Sequence, residues 1–245
     1  MTIAAPEMPR TIPARSALLA TGAVLAAMAS VNLARHVWSD ATWLGPVAAL
    51  VLLAFARWSG LTWAQLGLHR DRLRSGARWG FGAAALVALV YLAGVLLPLT
   101  RPAFLDARYH LGVSGALLTA FVVIPLGTVV FEEIAFRSVL WGMLARHATT
   151  MRVLLISSAL FGLWHILPSL NIATANAGIG DLVGGTGSAA QVIVIAAIVV
   201  FTAGGGIVAG ELRRRSGSVL ASAGMHWATN SLGVLFGLVA WRMVA

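Results

Sequence analysis

The chain has 245 residues, of which 59% are hydrophobic and 10% charged, with a formal net charge of +9. A soluble domain carries about 25% charged residues, so the composition excludes an ordinary soluble domain and a disordered chain and points to a polytopic membrane protein. Cysteine and lysine are both absent, which excludes disulfides, thiolate nucleophiles, Cys-ligated zinc and lysine-based catalysis.

The first apolar stretch, residues 16–35, follows a basic N-terminus and contains Ala27-Met28-Ala29. That pattern has the form of a cleaved signal peptide over residues 1–29; retained, the stretch is a first membrane span. Further apolar stretches follow at 42–57, 79–100, 115–145, 152–169, 189–210 and 218–240, each near the ~20 residues that a spanning helix needs. The expectation is an all-α polytopic membrane protein of about seven transmembrane helices, forming one membrane domain over 1–245. Residues 1–110 supply N-terminal helices and a basic loop.

Local signals refine this outline. Residues 115–145 are too long for one simple span, and Pro125 and Gly127 are placed to break them. Residues 58–78 read as a basic amphipathic surface helix or as a solvated loop. Residues 171–188, rich in Gly, Ala and Thr, read as a flexible outer loop. Gly204–Gly206 read as a close-packing site between helices. With a cytoplasmic N-terminus, twelve arginines fall on the cytoplasmic side, and Arg35, Arg101, Arg108 and Arg242 fall opposite. This bias fits the positive-inside rule and predicts an N-in topology. It also accounts for the positive charge without nucleic acid, which is not an expected partner.

Ionisable groups inside spans cost about 2.5–3.5 kcal/mol each on insertion scales and are functional candidates by default. Three clusters qualify. Glu132 and Glu133 lie in an apolar stretch with Arg137 four residues after Glu133, so Glu133 and Arg137 share a helix face and can pair. Glu132 points about 100° away and is left free. Phe161 and His165 share a face, as do His226 and Asn230. At 1.5 Å per residue, Glu132, His165 and His226 lie about 21, 20 and 17 Å from their nearest cytoplasmic loops. Three groups on three helices are therefore expected to meet at one depth, in a buried active-site cavity.

A carboxylate in an apolar cavity is a strong base near neutral pH. Glu132 beside His165 is suited to deprotonate water for attack on a carbonyl, with His226 and Asn230 donating to the oxyanion. Glu132, His165 and His226 are also the set that would ligate zinc, if zinc is present. No HExxH occurs in the chain, which excludes the usual zincin arrangement. No obligatory cofactor is favoured.

The ordered motifs EExxxR, FxxxH and HxxxN on separate helices resemble the CAAX protease and bacteriocin-processing family of intramembrane endopeptidases, which includes the Ras-converting-enzyme type. The resemblance covers about residues 115–235. It implies that Glu132 activates water, that His165 assists, that His226 and Asn230 form the oxyanion site, and that Glu133 and Arg137 support them. It implies a membrane-associated peptide or protein as substrate. The alanine-rich, lysine-free composition suggests a bacterial inner membrane, where a peptide precursor or regulatory membrane protein is the expected substrate. Two other readings stand beside it. One is a non-catalytic scaffold or immunity protein. The other is a rhomboid-type serine protease, since Gly112-Val113-Ser114-Gly115 has the GxSG pattern and would use Ser114 with His226.

Overall fold

The computed structural model describes residues 14–38 and 43–244, and the first thirteen residues of the signal-peptide reading fall outside them. Every apolar stretch is helical: α1 (Ala14–Val37), α2 (Leu44–Trp58), α3 (Leu73–Leu96), α4 (Val113–Leu144), α5 (Thr150–Trp164), two short helices α6 (Ile172–Ala175) and α7 (Ala177–Leu182), α8 (Ser188–Ser216) and α9 (219–244). Among the described residues, β structure is limited to an isolated bridge between Asp106 and Asn176.

Four of these helices are long and apolar enough to cross a membrane, or five if α5 and the segment Leu167–Ala175, bent by 41°, count as one span. With 15 residues, α2 reaches only about 22 Å at 1.5 Å per residue, short of a ~30 Å hydrocarbon core. In α9 the polar run His226, Thr229, Asn230 and Ser231 dilutes the apolar character. Large apolar side chains point outward along the long helices, among them Leu89, Phe81 and Phe201. Such surfaces are tolerable only against lipid or another apolar face, and the chain is an integral membrane protein.

The expected break in α4 does not occur. Pro125 lacks an N–H and its ring crowds the carbonyl four residues earlier. The helix absorbs this by widening to π-type winding over Thr119–Val123 and Pro125–Val129, and again over Glu133–Leu140. Gly127 serves packing instead: a Cβ on Gly45 of α2 would lie 2.8 Å from the Gly127 carbonyl oxygen, so α2 crosses α4 backbone to backbone.

Residues 58–78 form no single amphipathic helix. Gly60 and Gly67 take positive φ of 91° and 71°, a backbone that favours glycine. Between them Thr62 and Gln65 cap one another at 2.8 and 3.2 Å. Leu61 and Leu66 are fully buried, so the loop folds onto the bundle end rather than lying on the membrane surface. Residues 171–188 are likewise ordered into α6 and α7. Asn176 caps Ile179 N–H at 3.1 Å and donates to the Ala103 carbonyl at 2.9 Å.

The core joins α1, α2, the C-terminal half of α4 and α5 around Phe131, Phe136, Leu140 and Met143. Elsewhere small residues set the helix spacing. A Cβ on Gly224 would lie 2.8 Å from Gly80 Cα, bringing α9 against α3. Of the run Gly204–Gly206, only Gly206 packs closely, where a Cβ would lie 3.0 Å from Ser158 Cα, while Gly204 and Gly205 face open space. Gly224→Val is therefore expected to destabilise the fold by about 1–3 kcal/mol through overpacking. Gly204→Ala is expected to stay within about 0.5 kcal/mol of the parent. Denaturant unfolding in detergent micelles checks both.

Candidate active site

The three polar clusters meet. Glu132, Glu133 and Arg137 come from α4, Phe161, Trp164 and His165 from the end of α5, and His226 and Asn230 from α9. Glu132, Glu133, Arg137 and His226 are 3%, 2%, 2% and 7% exposed. Charges so deeply buried persist only when paired and hydrogen-bonded. Twelve residues of α4 follow Glu132, so the two carboxylates do not mark an interfacial helix end.

Glu133 and Arg137 pair as their spacing predicts, with Nη1 3.5 Å from Oε1. The guanidinium carbon of Arg137 sits 3.8 Å from the Phe161 ring centre, a cation–π contact strengthened by its dry surroundings. His226 Nδ1 lies 2.9 Å from the same Glu133 oxygen. Glu133 thus ties α4 to α9 and fixes the His226 ring.

Glu132 faces the other way. Its Oε1 accepts the Trp164 indole N–H at 3.0 Å. Its Oε2 lies 4.0 Å from His165 Nε2 and 3.7 Å from His226 Nε2 and has no hydrogen-bond partner. The tautomers follow from the other ring nitrogens. His165 Nδ1 is 2.7 Å from the Phe161 carbonyl, which can only accept, so Nδ1 carries the proton. His226 Nδ1 donates to ionised Glu133 in the same way. In the neutral rings both Nε2 atoms present lone pairs toward Glu132 Oε2. Three acceptors converge with no donor among them, which is a site for a proton-bearing group such as water.

Glu132, His165 and Asn230 line a cavity of about 1030 Å³, together with Thr128 of α4 and Asn32 and Arg35 of α1. His226 does not line the cavity, but its Nε2 lies 3.7 Å from Glu132 Oε2, which does. Among the described residues no group of three His, Asp or Glu side chains is arranged to hold a metal ion. Ser114 is exposed in the first turn of α4, about 27 Å of helix before Glu132. His226 is engaged by Glu133 instead, so the serine-dyad arrangement is not formed.

Two residues were not read from the sequence as part of the site. Trp164 orients Glu132, and the available signal was an indole donor beside His165 in an apolar helix. Asn32 of α1 donates to the Trp164 carbonyl at 3.0 Å, capping α5 where it ends at His165. The signal there was an amide near the end of an otherwise apolar helix. Trp164→Phe keeps the ring and removes the donor to a carboxylate, a bond worth about 1.5–3 kcal/mol. The unfolding midpoint of that variant in detergent micelles is expected to fall by the equivalent of about 1.5–3 kcal/mol, because Glu132 Oε1 is left buried without its donor.

Residues 114–232 match the family described as type II CAAX prenyl endopeptidase, Rce1-like. The match spans every motif residue from Glu132 to Asn230 and leaves α1, α2 and α3 outside. Neither a curated protein nor a solved structure matches the chain.

Proposed function

Since residues 114–232 belong to the CAAX protease family, we propose that this chain is an intramembrane endopeptidase that hydrolyses a peptide bond of a membrane-associated peptide or protein. One observation carries the reading: Glu132 Oε2, buried and without a partner, faces the Nε2 atoms of His226 and of His165, and Glu132 and His165 line a large cavity.

A water between Glu132 and His165 gives one proton to Glu132 as its oxygen attacks the substrate carbonyl carbon. His165 Nε2 accepts the second water hydrogen and aims the lone pair. The carbonyl oxygen becomes an oxyanion, and the side-chain amide of Asn230 on the cavity wall donates to it. The carbon–nitrogen bond then breaks, and the proton on Glu132 passes to the leaving amine. The neutral His226 ring donates from Nδ1 to Glu133 and offers only a lone pair at Nε2, so the oxyanion role falls on Asn230. The Arg137–Glu133–His226 chain fixes the His226 ring, and the Trp164 indole N–H holds the Glu132 carboxylate at Oε1.

The seven helical stretches are read as a seven-span arrangement in a bacterial inner membrane with a cytoplasmic N-terminus, on the arginine distribution. The part of the cavity wall supplied by the end of α1 and the loop carrying Asp106 and Arg108 then lies toward the opposite side.

Cleavage of a membrane-peptide library by purified protein in detergent tests the reading. Wild type and Ser114→Ala are expected to cleave equally, with or without a strong chelator. Loss in Ser114→Ala would reassign the nucleophile. Loss with chelator and rescue by zinc would turn Glu132, His165 and His226 into ligands. A library left intact by wild type would count against a protease.

A further inference from the structure

Glu132 is held by Trp164 and His226 by Glu133, but among the described residues no hydrogen bond holds the Asn230 side chain. An amide without a bond of its own points where its backbone and its packing send it. That backbone is unusual. Ala228–Leu232 wind as a π-type turn inside α9. Such a turn admits one extra residue into the helix, so the residues on its two sides are rotated away from the ordinary α-helical register. The direction of Asn230 therefore depends on where the widening sits.

Two bonds fix that place. The Thr229 hydroxyl donates to the His226 carbonyl at 2.9 Å. The Thr229 carbonyl accepts from the Tyr91 hydroxyl of α3 at 2.8 Å, a partner from outside the helix where its own ladder is interrupted. The Tyr91 ring is seated edge-on between Phe104 and Phe236, at centre distances of 5.4 and 6.2 Å and interplanar angles of 84° and 88°, the arrangement that aromatic quadrupoles favour. Tyr91, Thr229 and Asn230 all line the cavity. A carbonyl can only accept, so the Tyr91 proton is committed to Thr229 and none is left for an oxyanion. Tyr91 lies outside the family-matched residues 114–232.

We infer that Tyr91 is a positioning residue: by holding the Thr229 carbonyl it fixes the widened turn of α9 and so aims the Asn230 amide into the cavity. The inference rests on the endopeptidase reading for the task of Asn230, and it brings α3 into a site whose chemistry is carried by α4, α5 and α9.

The chain has four asparagines, Asn32, Asn171, Asn176 and Asn230, so protein isotopically labelled at asparagine nitrogen alone gives few magnetic-resonance signals to follow in detergent micelles. Asn230→Ala identifies the Asn230 signals by their loss. Tyr91→Phe keeps the ring between Phe104 and Phe236 and removes only the hydroxyl. It is expected to shift or broaden the Asn230 side-chain signals, while those of Asn171 and Asn176 stay in place and report a retained fold. Asn230 signals that do not move would overturn the inference, and so would a collapse of all the signals together, which would make Tyr91 a general structural residue. On peptides that the wild type cleaves, Tyr91→Phe is expected to lower kcat about 10- to 100-fold, the scale of a misplaced catalytic contact, and to leave KM within about twofold. In the Asn230→Ala background the same substitution is expected to change kcat by less than about twofold, because the two residues act through one contact. An equal loss in both backgrounds would give Tyr91 a role of its own and sink the inference. If the wild type cleaves no peptide, the endopeptidase reading falls, and the asparagine signals still decide whether Tyr91 sets the Asn230 side chain.

Discussion

Glu132→Gln is expected to lower peptide cleavage about 10²- to 10⁴-fold, the range by which positioned general bases accelerate proton transfer, while the protein stays folded. The change is nearly isosteric. The glutamine carbonyl still accepts the Trp164 indole N–H that now reaches Glu132 Oε1 at 3.0 Å. Its amide nitrogen takes the place of Oε2 and donates toward the His165 and His226 Nε2 atoms, now 4.0 and 3.7 Å away. A cluster of three acceptors becomes one donor facing two acceptors. The variant should therefore unfold at the same midpoint as the parent or above it, as expected where a site keeps unsatisfied groups for function. Paired measurements of cleavage rate and thermal unfolding in micelles decide the matter. A variant that retains activity would remove Glu132 from the chemistry, and one that loses activity and fold together would make it a structural residue. A membrane scaffold or immunity protein would keep its cellular phenotype with this substitution.

The second large effect concerns stability. Arg137→Met leaves Glu133 buried without its cation, and removing one partner of a buried pair costs about 3–5 kcal/mol. The loss is compounded because the guanidinium also packs on the Phe161 ring at 3.8 Å. Adding Glu133→Gln should recover much of that stability, since a neutral amide is far cheaper to bury than an unpaired carboxylate. Its carbonyl can still accept from His226 Nδ1. A double-mutant cycle in denaturant separates the two contributions. Additive effects of the two single changes would mean that the residues do not act as a pair. The double variant should remain weakly active because Glu132, His165 and Asn230 are untouched.

Much of this was legible before any coordinates. Burial of Glu133 against Arg137 followed from an i, i+4 spacing within an apolar helix. The meeting of Glu132, His165 and His226 followed from counting residues to the nearest basic loop. Local breaks were read less well. Pro125 and Gly127 look like a hinge in a sequence window, but the helix widens at the first and packs α2 against the second. The glycine-rich run in α8 looks uniform, yet only Gly206 faces another helix closely. Residues 58–78 carry the charge pattern of a surface helix. Two glycines at positive φ and the burial of Leu61 and Leu66 turn them into a folded loop.

By itself, the sequence determined that this protein lives in a membrane and which chemical groups it brings there. Both follow from transfer energies that depend on composition and on period, so neighbours in space need not be known. Only the tertiary structure decided which oxygen of Glu132 stays unpartnered, which nitrogen of each histidine carries a proton, that Asn230 lines the cavity while His226 does not, and that Asn32 and Arg35 of α1 join the site. Hydrogen bonds and ion pairs are decided by distances of a few tenths of an ångström between atoms on different helices, and helical periodicity fixes a residue's face without fixing what lies across from it.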